Sequence, residues 1–221
     1  MGKARRPTSH RIVNSFTTDF VEGVKVARRT SRLILLTGAT RSGKSRLAVT
    51  FAKRFGSRIV YLATCRPADR DMKRRVARHQ QERPRSWTTL EAPDDPAAVL
   101  AKQNGFVDGA ILDCLTMYVS RLLMRRLSDE AILTRIRTLC QAMRQAPFPM
   151  VIVTNEVGWG VVPATRLGRR FRDLAGFVNQ LVAQHADDVY LVVAGLPLRL
   201  KGNGLTIGAA YDPDRDVLRA R

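Results

Sequence analysis

Short, almost wholly apolar runs alternate along the chain with segments of helical spacing. The apolar runs span residues 32–37, 58–64, 109–113, 149–155 and 188–195. Strands that are buried on both faces of a parallel sheet read as continuous apolar runs, whereas half-exposed strands alternate apolar and polar residues. The pattern therefore predicts five strands of a parallel sheet.

Helical spacing separates several of these runs. One apolar stripe extends from Leu47 to Phe55 and another from Ile132 to Met143, and Ser128 is placed to cap the second helix. Alternating strands and helices predict an α/β fold, specifically a single domain with a doubly wound, mostly parallel sheet. Because ligands of such sheets bind at the carboxyl ends of the strands, the loops that follow the strands are the first places to search for chemistry.

The chain divides into a central domain with a segment on either side. Residues 1–31 are rich in Lys, Arg, Ser and Thr, and we interpret them as a basic N-terminal extension that is solvated or partly disordered. A targeting segment or a polyanion-binding arm is the alternative. Residues 32–202 form the predicted domain, and residues 203–221 form a C-terminal tail.

Composition narrows the classes of partner and compartment. The 38 Lys and Arg residues exceed the 19 Asp and Glu residues, and the net charge of +19 favours polyanionic partners, nucleotides or simply solubility. Three cysteines without a CxxC pair argue against a disulfide framework or a zinc cluster and predict a reducing, cytoplasmic location. The longest apolar runs are too short to cross a bilayer, so no transmembrane segment is predicted.

The loop after the first predicted strand, GATRSGKS from Gly38 to Ser45, fits the pattern GxxxxGK[ST]. It lies between a predicted strand and a predicted helix, which is the context that this phosphate-binding motif requires. Gly38 and Gly43 allow backbone conformations that side chains would forbid, so that loop amides can converge on phosphate oxygens. Lys44 would supply positive charge to the outer phosphates, and the Ser45 hydroxyl would bind Mg²⁺.

The third apolar run ends in an acidic residue, Asp113. A carboxylate at the end of a buried strand is a candidate ligand for the Mg²⁺ of a bound nucleotide, directly or through water. The alternative is that Asp113 caps the helix predicted to start at Leu115. The two roles are compatible with each other.

His79 is the candidate nucleophile. Met72, Val76 and His79 share one helical face, which by itself would make the histidine only the polar end of an apolar stripe. Three arginines are close to it in sequence: Arg75, Arg78 and Arg83. Such cations favour the approach of phosphate and a neutral imidazole, and a neutral imidazole is a competent nucleophile toward phosphorus.

Asn155 and Glu156 lie at the carboxyl end of the fourth apolar run, where a parallel sheet presents binding or catalytic side chains. The helix predicted after them carries polar residues that either contribute to a site or form a solvated face: Arg169, Arg170, Arg172, Asp173, Asn179 and Gln180. If the nucleotide serves a kinase reaction, Glu156 and Asp113 are both candidates for the general base.

Seven segments, taken together, resemble one family. They read TGATRSGKSR, YLATC, MKRRVARHQQERPRSWTTLEAP, LDCLT, TNEVGWGVVP, RRFRDLAGFVNQLVA and LRLKG, within residues 32–202. In this order and spacing the chain resembles the bifunctional adenosylcobinamide kinase / adenosylcobinamide-phosphate guanylyltransferase family of cobalamin biosynthesis. The phosphate-binding loop alone would not be specific, whereas its combination with HxxxRPxxW, NEVGxGxVP and FRDxxGxxNQ is.

The resemblance implies a RecA-like P-loop NTPase fold, a homotrimer, and two reactions. ATP or GTP phosphorylates the terminal hydroxyl of the aminopropanol arm of adenosylcobinamide, and GMP is then transferred from GTP to that phosphate through a GMP–histidine intermediate. The matching histidine is His79. The family's GTP contacts match Gly38, Ala39, Thr40, Arg41, Ser42, Gly43, Lys44, Ser45, Thr64, Cys65, Arg66, Gln80, Gln81, Glu82, Arg83, Glu91 and Asp113.

Two other functions stay open at this point. The first is a P-loop kinase of a different small molecule, in which His79 is structural. The second is a RecA-like nucleic-acid-binding ATPase, which the net charge invites. Because aromatic residues make up only 6% of the chain and do not interleave with the basic runs, no stacking platform for bases is predicted. We therefore predict no specific nucleic-acid partner.

Overall fold

A computed structural model describes residues 31–65, 70, 74, 77, 80, 83–91, 94–103 and 106–202. The predicted C-terminal tail and all but the last residue of the N-terminal extension lie outside the described residues. The same is true of several individually predicted residues: Arg66, Met72, Arg75, Val76, Arg78, His79, Gln81 and Glu82.

Seven strands and five α-helices can be delimited in the part of the chain that the structure describes. The strands are β1 (Leu33–Thr37), β2 (Ile59–Ala63), β3 (Thr88–Glu91), β4 (Gly109–Asp113), β5 (Met150–Val153), β6 (Asp188–Val193) and β7 (Leu196–Lys201). The helices are α1 (Lys44–Lys53), α2 (Pro96–Ala101), α3 (Leu115–Met124), α4 (Asp129–Gln145) and α5 (Arg166–His185), with a short 3₁₀ turn at Val157–Trp159. Arg70, Arg74, Ala77 and Gln80 are also helical.

All seven strands lie in one sheet, in the order β3-β2-β4-β5-β1-β6-β7. The first six are parallel and β7 is antiparallel to β6. Strand β5 lies between β1, which leads into the phosphate-binding loop, and β4, which ends at Asp113. This insertion of one strand between the loop strand and the acid strand is the RecA-like arrangement, so the predicted fold class is confirmed.

Side chains of β1 alternate between two apolar layers, one on each face of the sheet. Leu33 and Leu35 pack in the layer that includes α2, α3, α4 and α5, whereas Ile34 and Leu36 pack in the layer that includes α1 and Trp87. Burial on both faces explains why this strand has no polar position between its ends. The sheet is therefore a rigid central layer whose carboxyl edge carries the loops of interest.

Most of the predicted elements are confirmed. Each of the five apolar runs contains a strand, and the helical stripes correspond to α1 and α4, with Ser128 accepting a hydrogen bond from the amide of Ala131 as the cap of α4. The two strands β3 and β7 were not predicted. Within the described residues no helix has the length and apolar character needed to cross a membrane. Cys65, Cys114 and Cys140, all of which the structure describes, form no disulfide with one another.

Candidate active site

The loop between β1 and α1 adopts a conformation that depends on glycine. Gly38 has φ of +139°, and a Cβ atom there would lie 2.3 Å from the carbonyl oxygen of Val192 on β6. Gly43, with φ of +100°, begins α1 without any side-chain cap. The amides of the first turn are therefore not capped by a side chain, which is what a helix terminus needs in order to bind phosphate oxygens.

Lys44 is held over this loop. Its ammonium group donates hydrogen bonds to the carbonyl oxygens of Gly38 at 2.8 Å and Ala39 at 2.6 Å, and lies 3.3 Å from the hydroxyl of Ser42. Lys44 is only 5% exposed. Its positive charge is thus concentrated at the concave side of the loop, where the phosphates of a nucleotide would lie.

Asp113, at the end of β4, is positioned by a buried tyrosine. The hydroxyl of Tyr61 donates to Asp113 Oδ2 at 2.6 Å. Burial first, and then the charge of Asp113, raises the pKa of Tyr61 well above its ordinary value of 10.0, so the hydroxyl stays protonated and acts as a donor. The alternative prediction, that Asp113 caps the next helix, is wrong: the cap position of α3 is Cys114, and it makes no side-chain cap hydrogen bond.

Arg83 connects this pair to the segment that carries the HxxxRPxxW motif. Its guanidinium carbon lies 3.5 Å from the centroid of the Tyr61 ring, and its Nη1 donates to the Thr89 hydroxyl at 3.3 Å. The Nε atom of Arg83 is buried and has no hydrogen-bond partner in the part of the chain that the structure describes. Arg83 therefore combines a cation–π contact to Tyr61 with a hydrogen bond to Thr89, and so connects β2 to β3 at this edge of the sheet.

Other predicted contacts lie along the same edge of the sheet. Ala63 pairs with Glu91 on one side and with Asp113 on the other, so the two carboxyl-bearing residues end their strands at the same level. Gln80 Nε2 donates to Glu91 Oε1 at 2.8 Å. Thr64 follows Ala63, and its hydroxyl donates to the carbonyl of Cys114 at 2.6 Å. The structure thus gathers these residues of β2, β3 and β4 at one edge.

A thiol lies beside Asp113 but is not a nucleophile. Burial, followed by the charge of Asp113, raises the pKa of Cys114 to about 12. Asn155 Nδ2 lies 3.7 Å from its sulfur. Because only the thiolate is nucleophilic, Cys114 is a packing residue at neutral pH.

A second polar cluster, which we call the Glu156 cluster, joins β1, the segment that follows β5, α3 and α5. Its members are Thr37, Thr116, Thr154, Asn155, Glu156 and Asn179. The sequence placed Asn155, Glu156 and Asn179 among the candidates, but it did not indicate Thr37 or Thr116. Tyr61 was missed as well, because a tyrosine within an apolar strand has the same pattern as a core residue.

The residues present fit a hydrated magnesium ion bound together with phosphates. No group of three or more His, Cys, Asp or Glu side chains that could form a metal cage occurs among the residues described. Mg²⁺ does not need such a cage, because it retains waters and is usually held by one or two protein oxygens plus substrate phosphates. The Ser45 hydroxyl and the Asp113 carboxylate are oxygen ligands of this hard type.

The glycine-dependent loop, the buried lysine at its centre, and the acid two strands away define a P-loop nucleotide-binding protein of the RecA-like class. Within that class the chain belongs to the cobinamide kinase / cobinamide phosphate guanyltransferase family, whose pattern matches residues 34–200. The resemblance seen in the sequence is therefore confirmed, and the protein is a bifunctional transferase of the cobalamin pathway.

Individual relatives agree with the family. The chain is 39% identical over 175 residues to the bifunctional adenosylcobalamin biosynthesis protein CobP of Pseudomonas aeruginosa, which covers 77% of this chain and 98% of that one. It is 36% identical over 181 residues to the bifunctional adenosylcobalamin biosynthesis protein CobU of Escherichia coli, covering 76% and 99%. A solved KaiC-like protein from Pyrococcus horikoshii aligns with a TM-score of 0.45 at 17% identity over 72% of this chain and 70% of that one.

Proposed function

We propose that this chain carries out both reactions of its family on a corrinoid. It phosphorylates the terminal hydroxyl of adenosylcobinamide with ATP or GTP, and then transfers GMP from GTP to the new phosphate, releasing pyrophosphate and giving adenosylcobinamide-GDP. The observation that carries this proposal is the family match over residues 34–200. The matched region includes a loop whose geometry fits the phosphates of a nucleoside triphosphate. The two alternative functions have no comparable support.

In the nucleotide complex, the residues from Gly38 to Ser45 bind the phosphates. Lys44 balances the charge of the outer phosphates, and Ser45 and Asp113 would hold Mg²⁺, which spreads the charge that develops on the transferred group. The Tyr61 hydroxyl orients Asp113 by occupying its Oδ2 atom. Thr64, Cys65, Arg66, Gln80, Gln81, Glu82, Arg83 and Glu91 complete the proposed GTP contacts.

In the guanylyl transfer, a ring nitrogen of His79 attacks the α-phosphorus of GTP as the bond to the bridging oxygen breaks and pyrophosphate leaves. A phosphate oxygen of adenosylcobinamide phosphate then attacks the same phosphorus and displaces the histidine. Dividing one difficult displacement into two keeps each barrier modest. This role is supported by the next residue in the chain, Gln80. Its side chain donates a hydrogen bond to Glu91, which lies at the same edge of the sheet as Asp113.

The decisive experiment is covalent labelling. The protein is incubated with α-labelled GTP and Mg²⁺, denatured, and tested for label that is lost in acid and retained in base. His79→Ala should abolish the label. His185→Ala is the matched control, because the His185 Nδ1 atom lies 2.9 Å from the carbonyl of Leu181 on α5 and the ring is occupied structurally. Absence of label in the wild-type protein would refute the guanylyltransferase half.

A homotrimer in the cytoplasm, with residues 1–31 as an extension and 203–221 as a tail, completes the proposal. Self-association is supported by large apolar side chains that are exposed on the described surface, including Trp159 at 66% and Val161 at 95%. Light scattering of the purified protein measures the oligomeric state directly, and a monomeric mass would refute the trimer. The three cysteines, which form no disulfide with one another, support a reducing location.

A further inference from the structure

The side chain of Glu156 is held in place by two other elements of the fold. Its Oε1 atom accepts hydrogen bonds from the hydroxyl of Thr37, the last residue of β1, and from Nδ2 of Asn179 on α5, the latter at 3.1 Å. Asn179 is itself fixed, because its Oδ1 accepts a hydrogen bond from the Thr154 hydroxyl at 2.7 Å. Thr37, Thr154 and Asn179 are buried, while Glu156 is only half-buried. The carboxylate is therefore a preorganised group at the solvent side of a rigid cluster.

The same residue is tied to the phosphate-binding loop. The amide of Glu156 donates to the carbonyl oxygen of Gly38 at 3.1 Å, and the ammonium of Lys44 donates to that same oxygen at 2.8 Å. The amide nitrogen of Glu156 and the ammonium nitrogen of Lys44 therefore lie close together, because both donate to one oxygen atom. Because Lys44 marks the place of the outer phosphates, the backbone of Glu156 adjoins the part of the site where the γ-phosphoryl group is transferred. Its carboxylate is held beside Thr37, the residue that precedes the phosphate-binding loop.

Asp113 is the other candidate acid, and its position favours a different role. It lies at the end of β4, which is separated from β1 by β5, and its Oδ2 atom already accepts the Tyr61 hydroxyl. On the register of the sheet it is level with Ala63 and Glu91, at the edge where the guanylyl contacts are proposed. Glu156, in contrast, adjoins the loop strand directly.

We propose that Glu156 is the general base of the kinase step. Since Oε1 already accepts two hydrogen bonds, Oε2 takes the proton from the terminal hydroxyl of the corrinoid arm. The hydroxyl oxygen forms a bond to the γ-phosphorus as the bond from that phosphorus to the β–γ bridging oxygen breaks, and the nucleoside diphosphate leaves with the electron pair. Glu156 then releases the proton to water. The inference rests on the proposed function, because it assigns a residue to one of its two reactions.

The test uses Glu156→Gln in the full-length protein. The glutamine carbonyl oxygen can accept the same two hydrogen bonds, whereas its amide cannot take up a proton. We expect kcat for phosphorylation of adenosylcobinamide to fall by a factor on the order of 100 or more, with little change in KM. The acid limb of the kcat–pH profile of the wild type should be absent from the variant. Guanylyl transfer to separately prepared adenosylcobinamide phosphate should stay at the wild-type rate.

Two control variants complete the design. Glu130→Gln removes a carboxylate from α4 whose side chain is 80% exposed and whose partner is Arg137, so both activities should be unchanged. Asp113→Asn should weaken guanylyl transfer as well as phosphorylation, because Asp113 is proposed to bind the nucleotide.

The possible outcomes distinguish an error in the assignment of Glu156 as the base from an error in the proposed kinase activity. A Glu156→Gln protein that phosphorylates at the wild-type rate would overturn the assignment of the base, and so would an equal loss of both activities, since the latter indicates a structural clamp. Selective loss of phosphorylation in Asp113→Asn alone would transfer the role to Asp113. A wild-type protein that guanylylates adenosylcobinamide phosphate but never phosphorylates adenosylcobinamide would refute the kinase half of the function, and the base with it.

Discussion

Replacing Tyr61 with phenylalanine removes the hydroxyl group next to the proposed nucleotide site. The aromatic ring, its packing in the core and its contact with Arg83 are retained. The lost hydroxyl donates to Asp113 Oδ2 at 2.6 Å. The phenylalanine ring still fills the position of a residue that is 1% exposed, and it still offers its face to Arg83 at the same place. The substitution therefore isolates the hydrogen bond that orients Asp113.

The size of the effect follows from the kind of hydrogen bond. A bond to a charged acceptor contributes about 1.5–3 kcal/mol, which is roughly twice the contribution of a neutral pair. Asp113 is half-buried, so water can replace part of what the hydroxyl supplied. We expect a loss of about 1–2 kcal/mol in the free energy of unfolding, because the low end of that range applies to a partly solvated acceptor. If Asp113 binds the nucleotide complex, affinity for Mg²⁺-GTP should fall by about 5- to 30-fold, since 1.4 kcal/mol corresponds to a factor of ten.

The assay pairs urea denaturation with titration of Mg²⁺-GTP by calorimetry. Tyr118→Phe is the matched control: Tyr118 is 2% exposed and lies in the apolar layer on the opposite face from Tyr61. Its loss of hydroxyl should affect stability without affecting nucleotide affinity. If Tyr61→Phe binds Mg²⁺-GTP as tightly as the wild type, Asp113 does not contact the nucleotide complex in the orientation that Tyr61 imposes, and the reasoning is refuted.

Three further predictions concern the loop, the core and the edge of the sheet. Gly38→Ala should abolish nucleotide binding in a calorimetric titration, because the new Cβ would lie 2.3 Å from the backbone oxygen of Val192 at a φ that costs about 1–3 kcal/mol. Burial raises the pKa of Cys140 from 9.0 to about 11, so the thiol of the unfolded chain ionises first. Stability is complete well below pH 9, and roughly 2–3 kcal/mol of it is lost as the pH rises through 11. Because alanine does not ionise, the urea midpoint of Cys140→Ala should fall less over that range. Arg32→Met should lower the free energy of unfolding by about 1–3 kcal/mol in the same assay, because the Asp188 side chain, 1% exposed, loses the guanidinium that bonds both of its oxygens.

The glycine and arginine predictions each have a control variant in the same chain. Gly176→Ala on α5 places a Cβ where no atom lies within 4 Å, so the fold should tolerate it and gain about 0.5–1 kcal/mol of helix stability. Arg137→Met removes a partner from the largely exposed Glu130 and should cost little. Wild-type and Cys140→Ala curves that remain parallel from pH 8 to 11 would contradict the thiol argument. Equal losses in Arg32→Met and Arg137→Met would contradict the argument from Asp188.

Several features of the fold could be predicted because they depend on residues that are close together in the sequence. The apolar runs that form β1 and β4 are buried on both faces, and the helix cap at Ser128 and the GxxxxGK[ST] loop depend on residues close together in sequence. The strands β3 and β7 escaped prediction for physical reasons. Thr88–Glu91 is polar and partly exposed, so it has no strong periodicity. Strand β7 pairs with β6 across a tight turn at Ala194 and Gly195, both at positive φ, where the usual Asn-Gly signal is lacking.

What the sequence by itself determined is the kind of chemistry: a phosphate loop, an acid at the end of a buried strand, and motifs that together place the chain in its family. These follow from residue type and short-range spacing. Only the tertiary structure decided which side chains act together, because the hydroxyl on Asp113 comes from Tyr61, 52 residues away, and the hydroxyl on Glu156 comes from Thr37, 119 residues away. Such pairs depend on strand order and register, which no local pattern encodes, and they turn a set of candidate residues into a site.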